Sequence, residues 1–230
     1  MEKLIYLLGD SEPGTVPRDR ADLRDALLET SPLLIDAGAR KASFCVADLD
    51  ETATERVPQF NVSGLHDAAV SLWLESLDQR KEVETLLSAR TKRLASYLVT
   101  ESVPLELAGG APLPLERYPG FALVTTFPKP ERLDDETFYS RWHGSHTKLS
   151  LEIHPLTQYI RNSVARPLTI GAPPLRAIVS DSVASVEILA DPDAFYGSDE
   201  GRRRAVKDLL GFVDFEAMSS VLMSQYALGG

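Results

Sequence analysis

"ELAGGAPLPLERYPGFALVTTF", Glu106 to Phe127, decides how this chain is divided. Its first fifteen residues are rich in Gly and Pro and show no hydrophobic period, which is linker composition. Its last seven read as a buried strand. The segments before the linker are a strand in "KLIYLLG", a helix in "PRDRADLRDALLETSPLLIDAG", strands in "ARKASFCVADL" and "HDAAVSLWLES", a helix in "LDQRKEVETLLSAR" and a strand in "KRLASYLVTESVPL". The order is β-α-β-β-α-β. The first helix takes Pro17 in its first turn, and the second takes Asp78 as its cap.

After the linker the same order begins again. "GFALVTTFPKP" is a strand, and "LDDETFYSRWHGSHTKLSLEIHP" is a helix with acids in its first turn, where the helix dipole favours them. "TQYIRNSVARPL" and "RAIVSDSVASVEILA" hold strands, "DPDAFYGSDEGRRRAVKDLLGFVDF" carries a helix, and "AMSSVLMSQYAL" is the last strand. Without gaps, Asp67–Asp78 aligns with Asp181–Pro192, and Ser96–Ser102 with Ser220–Tyr226. The fold class that follows is α+β: two tandem ferredoxin-like units, residues 1–105 and 119–230, joined by a linker at 106–118. A single such unit leaves one apolar sheet face bare. Two units packed sheet to sheet cover both faces and give a closed or nearly closed α+β barrel.

The 230 residues carry 34 acidic and 24 basic side chains, a net charge of −10. That balance argues against a nucleic-acid partner and against an anionic membrane surface, both of which call for a basic footprint. An uncharged or cationic small molecule, or a protein, remains open. No apolar run approaches the roughly 20 residues of a membrane helix, and the N-terminus has too short an apolar core for a signal peptide. One cysteine, Cys45, excludes an intrachain disulfide. Its place in "ASFCVADL" reads as inert strand packing. The chain reads as soluble and cytoplasmic.

Three of the four histidines lie in "RWHGSHTKLSLEIHP", Arg141 to Pro155. On a helix turning about 100° per residue, Phe138, Trp142, Leu149 and Ile153 form the stripe that meets the sheet. His146 falls at the edge of that stripe, beside Tyr139. His143, Ser150 and His154 lie further round. His154, before Pro155, reads as a terminal residue that complements the dipole when charged. His143 and His146 are spaced to share a metal ion, yet no third ligand stands at a clear spacing, so no metal is assigned. The matching first-half helix, Asp19 to Leu34, has no histidine and no aromatic residue, and His66 reads as a strand-end residue. Arg202–Arg204 reads as a solvated helix face. No glycine-rich phosphate loop and no Gly-x-Ser-x-Gly elbow is present.

"FYSRWHGSH" (Phe138–His146), followed by "IHPLTQYIRNSV" (Ile153–Val164), resembles the EthD-type branch of the dimeric α/β-barrel superfamily. That branch pairs an aromatic-x-x-x-His helix pattern, here Trp142 and His146, with a Tyr-x-x-Asn strand, here Tyr159 and Asn162. "FVDFE" near Phe212 also resembles the family. The likeness covers residues 119–228; the first half keeps the fold pattern but not the helix motif. It implies an apolar pocket between helix and sheet, with His146 as acid or base and Trp142, His143, Tyr139, Tyr159 and Asn162 as binding residues. Tyr159 and Asn162 differ in strand parity, so at most one should face that pocket. The function expected is a cofactor-independent isomerase, cyclase or lyase acting on a small hydrophobic carbonyl or polyketide-like compound. The alternatives are a non-catalytic binding or accessory protein of an oxidative degradation pathway, and a haem-dependent oxidoreductase. Haem is raised by related two-repeat barrels, with His143, His146 or His154 as ligand, but no motif supports it. A homodimer is a further expectation of the resemblance.

Overall fold

The protein is described here from a computed structural model, which covers residues 1–9, 20–49, 55–57 and 67–229. The elements are β1 (Glu2–Gly9), α1 (Arg20–Asp36), β2 (Lys41–Val46), β3 (Ala68–Leu74), α2 (Arg80–Ser88), β4 (Arg93–Leu105) and β5 (Phe121–Phe127). Then come α3 (Asp135–Tyr139), a π-helical segment (Ser140–His146), α4 (Thr147–Ile153), β6 (Leu156–Pro167) and β7 (Ala177–Val183). Three helices follow, α5 (Val186–Ala190), α6 (Pro192–Tyr196) and α7 (Asp199–Leu209), before β8 (Ser219–Leu228). Pro17, His66 and the turn expected around residues 10–17 lie outside the described residues.

The strands close into one antiparallel barrel in the order β1-β3-β2-β8-β5-β7-β6-β4. Residues before the linker supply β4-β1-β3-β2, and residues after it supply β8-β5-β7-β6. The two sets are not merely stacked face to face. They are hydrogen-bonded at both edges, through Ala42↔Leu228 and its neighbours on one side and Val99↔Val164 and its neighbours on the other. The linker extends one seam. Beyond the last β5–β8 pair, Ala122↔Met223, Tyr118 donates its N–H to Gln225 O (2.8 Å) and Leu115 donates to Ala227 O (2.8 Å).

Strand alternation builds the core in layers. On β1, Leu4, Tyr6 and Leu8 point outward beneath α1 and α2, while Ile5 and Leu7 point into the barrel with Val99, Val124, Val221 and Met223. A strand covered on both sides has no polar face, which is why "KLIYLLG" is continuously apolar. Leu23, Leu27 and Leu34 fasten α1 to this layer. Pro32 lies inside α1 and cannot donate to the carbonyl four residues back. The Ser31 hydroxyl donates to that carbonyl, Leu28 O, at 2.7 Å.

Two expectations are corrected. The 3-10 turn Leu77–Gln79 precedes α2, and its cap is Ser76, whose hydroxyl accepts from Asp78 N; Asp78 is therefore the capped residue rather than the cap. The gapless pairing of Asp67–Asp78 with Asp181–Pro192 sets strand β3 against α5, because only Asp181–Val183 of the second stretch is strand. Apolar residues of an amphipathic helix and of a strand look alike over so short a run. Among the described residues, no helix is long and apolar enough to cross a membrane.

Candidate active site

The helix carrying the histidines begins at Asp134, whose carboxylate accepts from Thr137 N at 2.7 Å. It does not run as one regular α-helix. Ser140–His146 is π-helical, and the Thr147 hydroxyl donates to Trp142 O, five residues back, at 3.1 Å. A π turn advances less per residue than an α turn, so residues four apart stay on one face. Phe138, Trp142, His146, Ser150 and His154 are spaced by four. Phe138 is buried in the aromatic cluster with Phe127 and Phe212, and the other four line one cavity. The stripe expected from regular helix geometry is corrected on this point. Leu149 and Ile153 are only half-buried, while Ser150 is buried.

That cavity, about 470 Å³, lies between the helices and the outer face of the second strand set. Its walls are mainly apolar and aromatic, with Phe127, Trp142, Phe195, Phe212 and Phe215 prominent. Its polar groups are few. His146 Nδ1 lies 2.7 Å from Asp208 Oδ2 of α7. The Ser145 hydroxyl lies 3.3 Å from the other oxygen of Asp208, but its one hydrogen has a nearer acceptor in Arg141 O at 2.9 Å. Nε2 of His146 is left on the cavity side, 3.4 Å from Ser150 Oγ. Burial lowers the pKa of His146; Asp208 raises it, and the nearby Arg161 lowers it further. The net direction is down, which leaves a neutral imidazole at pH 7, oriented by a carboxylate and able to accept a proton.

Tyr159 stands on the cavity floor, 1% exposed, and burial together with Asp181 pushes its phenol well above the usual range. Asp181 is its neighbour on β7. By accessible surface Asp181 is half-buried, yet its Oδ1 is beyond the reach of water and has no hydrogen-bond partner. Burial pushes its carboxyl up to about 7. His154 is corrected from a charged helix terminus to a cavity residue. Its Nδ1 lies 3.1 Å from Phe195 O, its ring stacks on Phe195, and burial lowers its pKa.

The structure therefore gathers Trp142, His146 and Tyr159 at one cavity and leaves out the other three expected site residues. His143 packs on Trp142 and Tyr139, with Nε2 3.3 Å from Ser163 Oγ, off the cavity wall. Tyr139 packs beside Trp142 under the Arg176 guanidinium. Asn162 points into the barrel, where it donates to Ile178 O at 3.0 Å and lines a separate space of about 270 Å³. The parity of β6 separates Tyr159 from Asn162, as expected for positions three apart. Cys45 lines the same inner space, and burial pushes its thiol up to about 12, an unreactive state. Of the three arginines, Arg203 and Arg204 pair with Glu200 and Glu152 on the surface, whereas Arg202 reaches the cavity.

Sequence reasoning missed Asp181, Asp208 and Ser150. For Asp181 a signal was available: an acid within "AIVSDSV" has no solvated face to occupy if the strand is covered on both sides. Asp208 gave none, since its pairing joins residues 62 apart. Among the described residues, no group of three or more His, Cys, Asp or Glu side chains is placed to hold a metal ion.

No family model and no curated protein matches the sequence. Solved structures do match. The chain is similar to an anthrone oxidase-like protein at 12% identity, over 100% of this chain and 94% of that chain, with a TM-score of 0.54. It is similar to a mutant chlorite dismutase from Candidatus Nitrospira defluvii at 11% identity, over 97% and 91%, with a TM-score of 0.48. It is also similar to a dye-decolorizing peroxidase from Bacteroides thetaiotaomicron at 10% identity, over 96% and 92%, with a TM-score of 0.49. At such identities the likeness is one of fold alone. The fold shared with the anthrone oxidase-like protein is a mixed α+β chain around a closed antiparallel barrel of eight strands.

Proposed function

We propose that this protein is a cofactor-independent acid/base enzyme of the isomerase, cyclase or lyase type, acting on a small hydrophobic carbonyl compound. The observation that carries this reading is His146 itself. Asp208 holds Nδ1 at 2.7 Å, and Nε2 lies on the wall of a cavity of about 470 Å³ lined by apolar and aromatic side chains. A base must be oriented as well as basic, and the carboxylate fixes both tautomer and ring plane. Phe212 packs against the imidazole, and Trp142 lines the same cavity as an aromatic wall. The walls hold a flat substrate against the base, so proximity supplies much of the rate.

The repeated strand order on either side of the linker supports two ferredoxin-like units, residues 1–105 and 119–230, with the linker at 106–118. We read the second as the unit that keeps an EthD-like helix motif and the site. The single cysteine fits a cytoplasmic location, and the likeness to the superfamily supports association as a homodimer.

The test is proton exchange. 2-Tetralone in D₂O should gain deuterium beside its carbonyl faster with protein than without, and His146→Ala should remove the enhancement with the circular dichroism spectrum unchanged. An alanine variant as fast as wild type sinks the reading in favour of a binding or accessory protein. A second reading rests on the same geometry. A carboxylate on one ring nitrogen, with the other turned to the cavity, would also suit a histidine that holds haem iron. His146 would then hold the iron, and haem would supply redox chemistry. Reconstitution with hemin followed by a Soret scan of wild type and His146→Ala separates the two readings.

A further inference from the structure

Asp181 is the least explained group in the cavity. It stands on β7, directly opposite Tyr159 of β6 and Leu123 of β5. Strand parity turns all three outward, toward the helices. Oδ1 has no hydrogen-bond partner and is sealed from water, so the carboxyl meets the cavity through Oδ2. The titratable and charged groups that share its cavity are Tyr159 from β6, His146 and His154 from the helix above, Tyr196 from α6 and Arg202 from α7. None of them is bonded to Asp181 in the structure. An unpaired buried carboxylate is costly, whereas a carboxylic acid needs only one acceptor. The fold thus keeps a hydrogen-bond donor on the cavity floor with no acceptor supplied by the protein, facing the layer that carries the base.

We infer that Asp181 is a catalytic residue: its neutral carboxyl donates to the carbonyl oxygen of an enolisable ketone while His146 Nε2 takes the proton from the adjacent carbon. This rests on the acid/base reading above and names its substrate class. The C–H bond breaks and its proton goes to Nε2. The electron pair becomes the carbon–carbon double bond of the enol, and the carbonyl π pair moves onto oxygen, where the Asp181 proton meets it. Return of the proton from His146 to the same or a conjugated carbon, with the proton on oxygen going back to Asp181, restores a ketone and both groups, so no oxidant or reductant enters. A carboxylic acid in an apolar site is a strong donor to a developing enolate. Ketones are favoured over carboxylates, because the groups on this floor, Asp181 and Tyr159, are acids, and the cation that lines the cavity, Arg202, comes from α7 instead.

Binding of 9-fluorenone tests this, since it is a flat ketone that accepts a hydrogen bond but cannot enolise. Its affinity and its carbonyl stretching frequency are measured at pH 5.5 and pH 8.5. The wild type should bind at least tenfold tighter at pH 5.5 and lower the stretching frequency there. Asp181→Asn, which keeps a donor, should bind without pH dependence. Asp181→Leu should bind as weakly as wild type at pH 8.5 and leave the stretching frequency unshifted. His146→Ala and His154→Gln should keep the pH dependence of wild type. Failure of wild type to bind fluorenone, or tight pH-dependent binding by Asp181→Leu, overturns the inference. If fluorenone binding follows Asp181 but tetralone exchange ignores His146, the enzymatic reading fails while oxygen recognition stands. If exchange needs His146 but fluorenone ignores Asp181, only this inference fails.

Discussion

Tyr159 and Asp181 are directly opposed across β6 and β7, a phenol and a carboxyl side by side on the floor of one apolar cavity. Burial acts on both in the same sense and disfavours the charged forms. The consequences reach stability as well as chemistry.

Asp181 should cost the protein stability at neutral and alkaline pH. Its folded pKa, about 7, lies above the ordinary value of 3.8, so the folded state binds the extra proton. Stability therefore falls as pH rises from about 4 to about 7 and is level above that. Three units correspond to about 4 kcal/mol at most, and water in the cavity brings that nearer 2 kcal/mol. Asp181→Asn should be more stable than wild type by about 2 kcal/mol at pH 8, with the difference gone by pH 4. Urea melts at the two pH values check this.

Asp208 should matter through the imidazole it holds. Asparagine at that position can donate to Nδ1 and so move the ring proton onto Nε2, the atom that has to accept one. Asp208→Asn should slow tetralone exchange by about 10²-fold or more with little change in fold. It should also lower the His146 pKa further, because Asp208 now raises it. Exchange kinetics and ring-nitrogen NMR read the two effects separately.

His143 should remain neutral until about pH 4. Burial is the main cause, with Arg161 adding to it. Its depressed pKa means that the unfolded chain binds the proton first, so His143 removes stability as pH falls from about 6.5 to about 4. That slope opposes the one from Asp181. A ¹⁵N-edited histidine titration that places this ring near 6.5 would contradict the packing against Trp142 and Tyr139.

Gly120 joins the linker to β5 with φ +78°, and a Cβ built there would lie 2.1 Å from Val183 O. Both the left-handed backbone and the close carbonyl exclude a side chain. Gly120→Ala should cost about 3 kcal/mol, enough to lower Tm by about 6 °C or more. A Tm within 2 °C of wild type would refute that account.

Strands β1 and β5 were legible because each is a short apolar run bounded by turn chemistry, "KLIYLLG" and "GFALVTTF". The Gly- and Pro-rich break at residues 106–118 exposed the repeated order. His146 was legible from Trp142 one turn before it. The facing of Ser150 and His154 was not, because regular helix geometry cannot foresee a π turn at Ser140–His146. Asp208 is brought to His146 by tertiary packing alone, which no local pattern records. The short helix α5 was absorbed into a strand because "VEILA" follows β7 after only two residues, with no Gly or Pro between them.

Closure of the barrel has a consequence for how the molecule behaves on dilution. All eight strands come from one chain, and each has hydrogen-bonded neighbours on both sides. Assembly of the barrel is thus unimolecular: diluting a homodimer to monomers removes only the stabilisation that association adds and leaves the barrel closed. Closure also leaves no open strand edge, among the described residues, for a second copy to extend. Any partner must dock on the outer helices or on loops, where contact can be gained and lost without unpicking the fold.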